Sequence, residues 1–204
     1  MTEELLLVIG VTTLCMLSPG PDMILVMRNT LTRDRRVGAL TAMGVLTGNL
    51  FHIGYCALGI ALLLSQSPLA FNVLRIASAV YLLYLGIQSL RSTGGFSVDT
   101  PTPSDEPRRA NAYWQGLLNN LLNPKGSLFY LGVFSQLITP DMTALETVTL
   151  IAVMMSVSAA FWVVFVQTLH WPQIRARLAK YGVLVDRAFG LLLVFFAVKV
   201  ALLS

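Results

Sequence analysis

The sequence predicts an all-α integral membrane protein. It would have six transmembrane helices, built as two inverted three-helix repeats with a broken first and a broken fourth helix. Three observations carry that expectation. Of 204 residues, 55% are hydrophobic and only 12% are Asp, Glu, Lys or Arg, about half of the roughly 25% charge of a soluble domain. Mean hydropathy is +0.71, too high for the polar surface that a water-soluble chain needs. The apolar runs are continuous and longer than about 20 residues. That favours helices over the alternating segments of roughly ten that build a membrane barrel.

The first span covers Leu5 to Thr30 and is interrupted at Pro19–Pro21. The second runs from Val37 to Leu64 and the third from Leu69 to Leu90. The fourth, Asn111 to Ile138, has a polar centre. The fifth is Thr143 to Leu169 and the sixth Val183 to Leu203. Each is long enough for a hydrocarbon core of roughly 30 Å, and a helix satisfies its own backbone groups in lipid. Ser92 to Ala110, STGGFSVDTPTPSDEPRRA, has paired glycines, three prolines and mixed charge, the composition of a hydrophilic linker. The chain thus divides into a first half (1–91), a linker (92–110) and a second half (111–204). Met1-Thr2-Glu3-Glu4 is acidic where a secretory signal starts positive, and Pro-Gly-Pro-Asp follows instead of a cleavage site, so the first segment is expected to be retained.

Orientation follows from Lys and Arg in short loops. Arg28, Arg33, Arg35 and Arg36 fall at the first loop, Arg91, Arg108 and Arg109 at the third, and Arg175, Arg177, Lys180 and Arg187 at the fifth. The opposite side has Arg75 alone. Eleven against one predicts cytoplasmic loops one, three and five, with both termini outside. The net charge of +4 then reads as inner-face loop charge and lipid contact rather than as a nucleic-acid surface.

Each half opens with an interrupted span: Pro19-Gly20-Pro21-Asp22 in the first and Asn123-Pro124-Lys125-Gly126 in the fourth. Matching interruptions in two halves point to a transporter site at the repeat interface. Pro19 and Pro21 lack backbone donors, so carbonyls near Leu17 and Ser18 lose their partners. That is costly in lipid unless the site is buried in protein or faces water. Asp22 starts the downstream half-helix, where its side chain is expected to cap free N–H groups. Asn119 and Asn123 share one face of the fourth span, with Asn120 beside them, and Lys125 lies too deep for simple snorkelling. One anion, one cation and two breaks make a cradle for a zwitterion, its carboxylate on Lys125 and its ammonium on Asp22. The same pair can instead be a structural ion pair, or Asp22 can carry a coupling proton.

Other residues read more modestly. Gly44 and Gly48 form a small-residue face for close helix packing. Asn49 is a candidate for the polar path, and His52 for a proton relay or a hydrogen-bonded structural role. His170 beside Trp171 suits a membrane edge, Tyr81 and Tyr84 suit packing, and Arg28 an inner cavity mouth. Asp186 and Arg187 are expected to neutralise each other where the last span begins. Cys15 and Cys56 lie in apolar runs and suggest no disulfide framework or metal site. The sequence has no G-x-S-x-G, H-E-x-x-H or Walker motif and no histidine cluster. No enzyme activity, cofactor or metal is therefore expected. A secondary transporter is the lead reading, with a small-solute channel or a membrane scaffold as alternatives. Expected partners are an amino-acid substrate, a coupling proton, membrane lipid and, with less to recommend it, a second copy in a homodimer.

Several stretches carry a family resemblance: SPGPDMILV (Ser18–Val26), RRVGALTAMGVLTGNLFH (Arg35–His52), AVYLLYLGIQSLR (Ala79–Arg91), GLLNNLLNPKGSLFYLGVFSQLI (Gly116–Ile138) and DRAFGLLLVFFAVKVAL (Asp186–Leu202). Together they resemble the lysine exporter superfamily, in particular its homoserine/threonine resistance branch, with wording nearest to threonine exporters. The resemblance implies a six-span protein of the bacterial inner membrane that exports amino acids, driven by proton exchange. It places the family's Pro-Gly-Pro element on Pro19, Gly20 and Pro21, followed by Asp22, and its Asn-Pro-Lys element on Asn123, Pro124 and Lys125. Where many relatives carry alanine after that lysine, this chain has Gly126.

Overall fold

The computed structural model describes residues 2–92, 109–138 and 142–202. The expected linker lies outside the described residues except at its two edges. Eight helices follow in order: α1 (Thr2–Leu17), α2 (Pro21–Thr32), α3 (Arg35–Gln66), α4 (Pro68–Leu90), α5 (Arg109–Leu121), α6 (Pro124–Leu137), α7 (Ala144–Thr168) and α8 (Pro172–Leu202).

Local chemistry sets these boundaries. Helices α2, α4, α6 and α8 each begin at a proline, where the missing N–H costs nothing and φ is already helical. These are the second and fourth helices of each half, so the two halves share their punctuation. The Ser67 hydroxyl accepts from Ala70 N at 3.2 Å ahead of α4, and the Asn123 side chain accepts from Lys125 N at 3.1 Å ahead of α6. Thr143 and Glu146 form a reciprocal capping box on α7, satisfying two otherwise orphaned donors.

Both interruptions expected from the prolines are present. α1 and α2 meet at a bend of 58°, and α5 ends at Leu121 before α6 starts at Pro124. Gly20 is extended, with φ −165° and ψ 175°, as a residue before proline prefers. Its backbone therefore does not need glycine. Nor does space require it, since a Cβ there would make an ordinary contact 3.6 Å from Lys125 Nζ.

Four single helices among the described residues are long and apolar enough to cross a membrane: Arg35–Gly59, Asn72–Leu90, Ala144–Thr168 and Pro172–Val198. The bent pair Leu5–Leu17 and Pro21–Thr32 passes the same test only when its two pieces are taken together, as a broken span or a re-entrant loop. The expected fourth span does not qualify by the same measure. Its pieces have 13 and 14 residues, and α5 carries Asn111, Gln115, Asn119 and Asn120. The last span also differs from expectation, because its helix starts at Pro172 rather than near Val183. Arg175, Arg177 and Lys180 are exposed on its first turns while Ile174 and Leu178 are partly buried. That stretch is an amphipathic helical extension, not a loop.

Two apolar clusters form the interior. One joins α1, α3, α4, α6, α7 and α8 through residues such as Val8, Ile53, Leu82, Phe129, Met154 and Phe189. The other joins α2, α3 and α7 through Met23, Val26, Val45, Trp162 and Phe165. Helices α3 and α7 run through both. On α3, Asn49 stands midway between Val45 and Ile53, and on α7, Ser158 stands midway between Met154 and Trp162. Spacings of four keep those residues on one face, so a polar layer separates the two clusters. Outward, Leu50, Leu58, Val80, Val163, Leu191 and Phe195 are each more than half exposed, a surface suited to lipid.

α3 crosses α5 with almost no space between their backbones. A Cβ at Gly44 would overlap the Tyr113 carbonyl, and one at Gly116 would overlap the Thr41 carbonyl. The glycine face expected at Gly44 and Gly48 is thus a packing face within the chain.

Candidate functional site

The two helix breaks face each other. Asp22, at the start of α2, reaches across to the second break. Its Oδ1 accepts from Asn119 Nδ2 at 2.6 Å, and its Oδ2 accepts from Asn120 Nδ2 at 3.0 Å and Asn123 Nδ2 at 3.1 Å. Hydrogen bonds to an ionised acceptor are stronger than neutral ones, and three amides share this carboxylate. Asn120 Nδ2 also donates to Asn49 Oδ1 at 3.0 Å. The structure brings Asp22, Asn49, Asn119, Asn120 and Asn123 together in one layer. The expected capping role does not hold, since α2 has no side-chain cap. The carboxylate is committed to the other half of the chain.

Lys125 makes the reciprocal reach, from the start of α6 to the first break. Nζ donates to Ser18 Oγ at 2.8 Å, to the Pro19 carbonyl at 3.3 Å and to the Ser18 carbonyl at 3.4 Å. It also lies 5.2 Å from the centre of the Phe189 ring. Of the carbonyls expected to be free at the break, that of Ser18 is held by lysine, together with that of Pro19. Asp22 and Lys125 do not form an ion pair with each other, which removes the structural-pair reading.

His52 is buried at the edge of this layer. Its Nε2 donates to the Asn120 carbonyl at 3.0 Å, and its Nδ1 lies 2.6 Å from the Tyr55 hydroxyl. A carbonyl only accepts, so Nε2 carries a proton here. Pro124 has no N–H for that carbonyl. His52 fills part of the gap, a supporting role for the second break.

Two cavities flank the first break. The narrow one, about 40 Å³, is lined by Asp22, Asn49, Asn120, Asn123, Tyr130 and Trp162 among others. A water needs roughly 10–15 Å³ of such volume, so in this conformation the space suits water, and a larger guest requires it to widen. Among the described residues, Asn49 Nδ2, Asn120 Oδ1 and Trp162 Nε1 are buried without a hydrogen-bond partner, and the Tyr130 hydroxyl is buried beside them with Ser158 as its neighbour. Asn49, Asn120, Tyr130 and Trp162 all line this cavity, and unpaired buried polar groups call for a polar guest or water. The wide cavity, about 750 Å³, is lined by Tyr81, Tyr84, Gln88, Arg91, Asp186 and Phe189, with Pro19 and Pro21 also on its wall. Ser18, Gly20 and Lys125 line both, so they form the partition.

Asp186 corrects a second expectation. It is 7% exposed and does not pair with Arg187. Its Oδ1 accepts from Ser18 Oγ at 2.8 Å and its Oδ2 from Ser92 Oγ at 2.7 Å. The sequence reading missed it, along with the side chain of Ser18, Tyr130, Trp162 and the cavity role of Tyr81 and Tyr84. A signal existed for Asp186: Phe189, Gly190 and Leu193 follow at three, four and seven residues and are buried, whereas Arg187 is exposed.

Comparison with known proteins places these features in a family. A family model for LysE type translocators matches residues 13–204. The homoserine/homoserine lactone efflux protein of Salmonella typhi is 33% identical over 142 residues, covering 70% of this chain and 68% of that protein. The leucine efflux protein of Salmonella choleraesuis is 31% identical over 200 residues, covering 92% of this chain and 90% of that protein. The uncharacterized membrane protein YrhP of Bacillus subtilis is 28% identical over 98% of this chain and 99% of its own. No solved structure matches. The chain belongs to the LysE type translocator family, whose members are membrane transporters and not enzymes.

Proposed function

We propose that this protein exports small neutral amino acids, threonine- or homoserine-like, across the bacterial inner membrane in exchange for protons. The observation that carries the proposal is the partition. Lys125 and Ser18 stand between a wide cavity and a narrow polar one, with Asp22 on the far side. A cation and an anion at two facing breaks suit the carboxylate and ammonium of an amino acid, and such breaks are where secondary transporters bind substrate. The efflux function that the two Salmonella relatives carry in their names supports the outward direction.

In this reading α5 and α6 together cross as a sixth span, their polar residues turned toward the site, and the two halves are inverted repeats. The loop charge sets both termini outside, so that Arg91 and the wide cavity face the cytoplasm. Asp22 alternates between proton and substrate ammonium. One chain lines both cavities, so a homodimer would pair two complete units.

Counterflow in proteoliposomes tests this directly. The vesicles are preloaded with unlabelled amino acid and offered radiolabelled threonine, homoserine, serine, leucine or lysine, with and without a pH gradient. Selective uptake that responds to the gradient and is lost in Asp22→Asn and Lys125→Met is expected. Uptake without counterflow saturation would instead indicate a channel. A folded protein that moves none of these would sink the exporter reading and favour a scaffold.

A further inference from the structure

We infer that Asp186 and Lys125 form a loading subsite for the amino-acid backbone on the wide-cavity side of the partition, distinct from the Asp22 layer. The inference rests on the amino-acid transporter reading and adds to it the residue that first receives the substrate ammonium.

Asp186 and Lys125 carry opposite charges, and neither touches a counter-charge directly among the described residues. Asp186 is buried, and its partners are the hydroxyls of Ser18 and Ser92. No lysine or arginine among the described residues stands within ion-pair distance of it. A carboxylate has about four acceptor positions, so two hydroxyl donors leave room on it for a cation in direct contact. Lys125 Nζ likewise meets only neutral oxygens, of Ser18 and Pro19. One hydroxyl links the two groups: Nζ donates to Ser18 Oγ at 2.8 Å, and Ser18 Oγ donates to Asp186 Oδ1 at 2.8 Å.

That gap suits a zwitterion. An α-amino acid holds its ammonium and carboxylate on the same carbon, a few ångströms apart. In the wide cavity its carboxylate would meet Lys125 and its ammonium Asp186, displacing the Ser18 hydroxyl that now bridges them. The cavity has room, at about 750 Å³, and Lys125 and Asp186 are both on its wall. Arg91 on the same wall adds a positive field that draws in the carboxylate end. Because Lys125 also lines the narrow cavity, it can keep the carboxylate while the ammonium passes from Asp186 to Asp22. The sequence then has two acidic stations and one shared lysine.

The test is threonine counterflow by the full-length protein, comparing wild type, Asp186→Asn and Ser92→Ala. Asp186→Asn is expected to raise the KM for threonine about tenfold or more, the loss of one charged hydrogen bond, with kcat changed far less. Ser92→Ala removes one of the two hydroxyls that hold Asp186 but keeps the carboxylate, and is expected to raise the KM far less than Asp186→Asn. N-acetylthreonine, which lacks the ammonium, is expected to inhibit wild type and Asp186→Asn equally. A wild-type KM in Asp186→Asn would overturn the subsite while leaving the transporter reading intact. So would a Ser92→Ala defect matching Asp186→Asn, since Asp186 would then be only a latch. A second measurement needs no variant: saturating threonine should protect Asp186 of the wild-type protein from a hydrophobic carbodiimide, read by peptide mass spectrometry. Labelling unchanged by threonine would also overturn it. If wild type moves no amino acid at all, the transporter reading itself fails first.

Discussion

Replacing Gly48 with alanine tests whether the Asp22 network depends on the closeness of α3 and α5. A Cβ at position 48 would overlap Asn120 Oδ1 and stand 2.9 Å from Cγ and 3.0 Å from Cβ of the same residue. Asn120 is 2% exposed, so it has no solvent to swing into. Its amide donates to both Asp22 and Asn49. Overpacking a tight interior costs about 1–3 kcal/mol, and losing a hydrogen bond to a charged group costs about 1.5–3 kcal/mol. Together these predict a destabilisation of about 2.5–6 kcal/mol. The second part alone weakens substrate binding at Asp22 roughly ten- to a hundredfold. The assay is thermal unfolding in detergent micelles alongside counterflow. The control is Gly54→Ala, six residues along the same helix, where a new Cβ meets nothing within 4 Å. That control should be neutral or stabilising by up to about 1 kcal/mol. If Gly48→Ala unfolded and transported like Gly54→Ala, the claim that this glycine makes the space for Asn120 would be wrong.

Three further substitutions grade the same logic. Gly116→Ala would press on the Thr41 backbone carbonyl, which cannot rotate away; a loss at or above about 3 kcal/mol should appear as poor folded yield and a lowered unfolding midpoint. Gly126→Ala places its Cβ 3.5 Å from the His52 ring, an ordinary contact, and counterflow should stay within about twofold of wild type, under 0.5 kcal/mol. Thr143→Ala removes the capping box of α7; it should cost about 1 kcal/mol in unfolding and leave substrate KM unchanged.

Much of the site was legible because its signals are local. Proline without an N–H, asparagines four apart and a charge inside an apolar run can be read from a few neighbours. They led to Asp22, Asn123 and Lys125 and to both breaks. The partners of those residues were less legible, because they depend on how distant helices cross. Nothing near Asp22 says that its carboxylate turns to α5 instead of capping α2. Asp186 shows a different failure. Adjacency in sequence suggested Arg187 as its partner, yet neighbours on a helix point about 100° apart and do not face each other. The start of α8 was misjudged for a related reason. Its charges suggested a loop, but Ile174 and Leu178 on one face let an amphipathic helix continue through them.

The crossing of partners also bears on mechanism. The first break exposes the carbonyl end of α1, which favours a cation, and the cation comes from the second half as Lys125. The second break is bordered by asparagine amides, which favour an anion, and the anion comes from the first half as Asp22. Neither half completes its own break. A motion that separates the halves would therefore leave Lys125 and Asp22 without their partners at nearly the same moment. A bare proton can satisfy Asp22 alone. A zwitterion carries both replacement partners on one carbon, its carboxylate for Lys125 and its ammonium for Asp22. On the proposed mechanism this is why an amino acid would lower the cost of the switch while a simple ion would not. It follows that glycine betaine, a zwitterion without N–H donors, should bind poorly and should not drive counterflow. Efficient counterflow with betaine would show that charge alone suffices and would refute this account of the coupling.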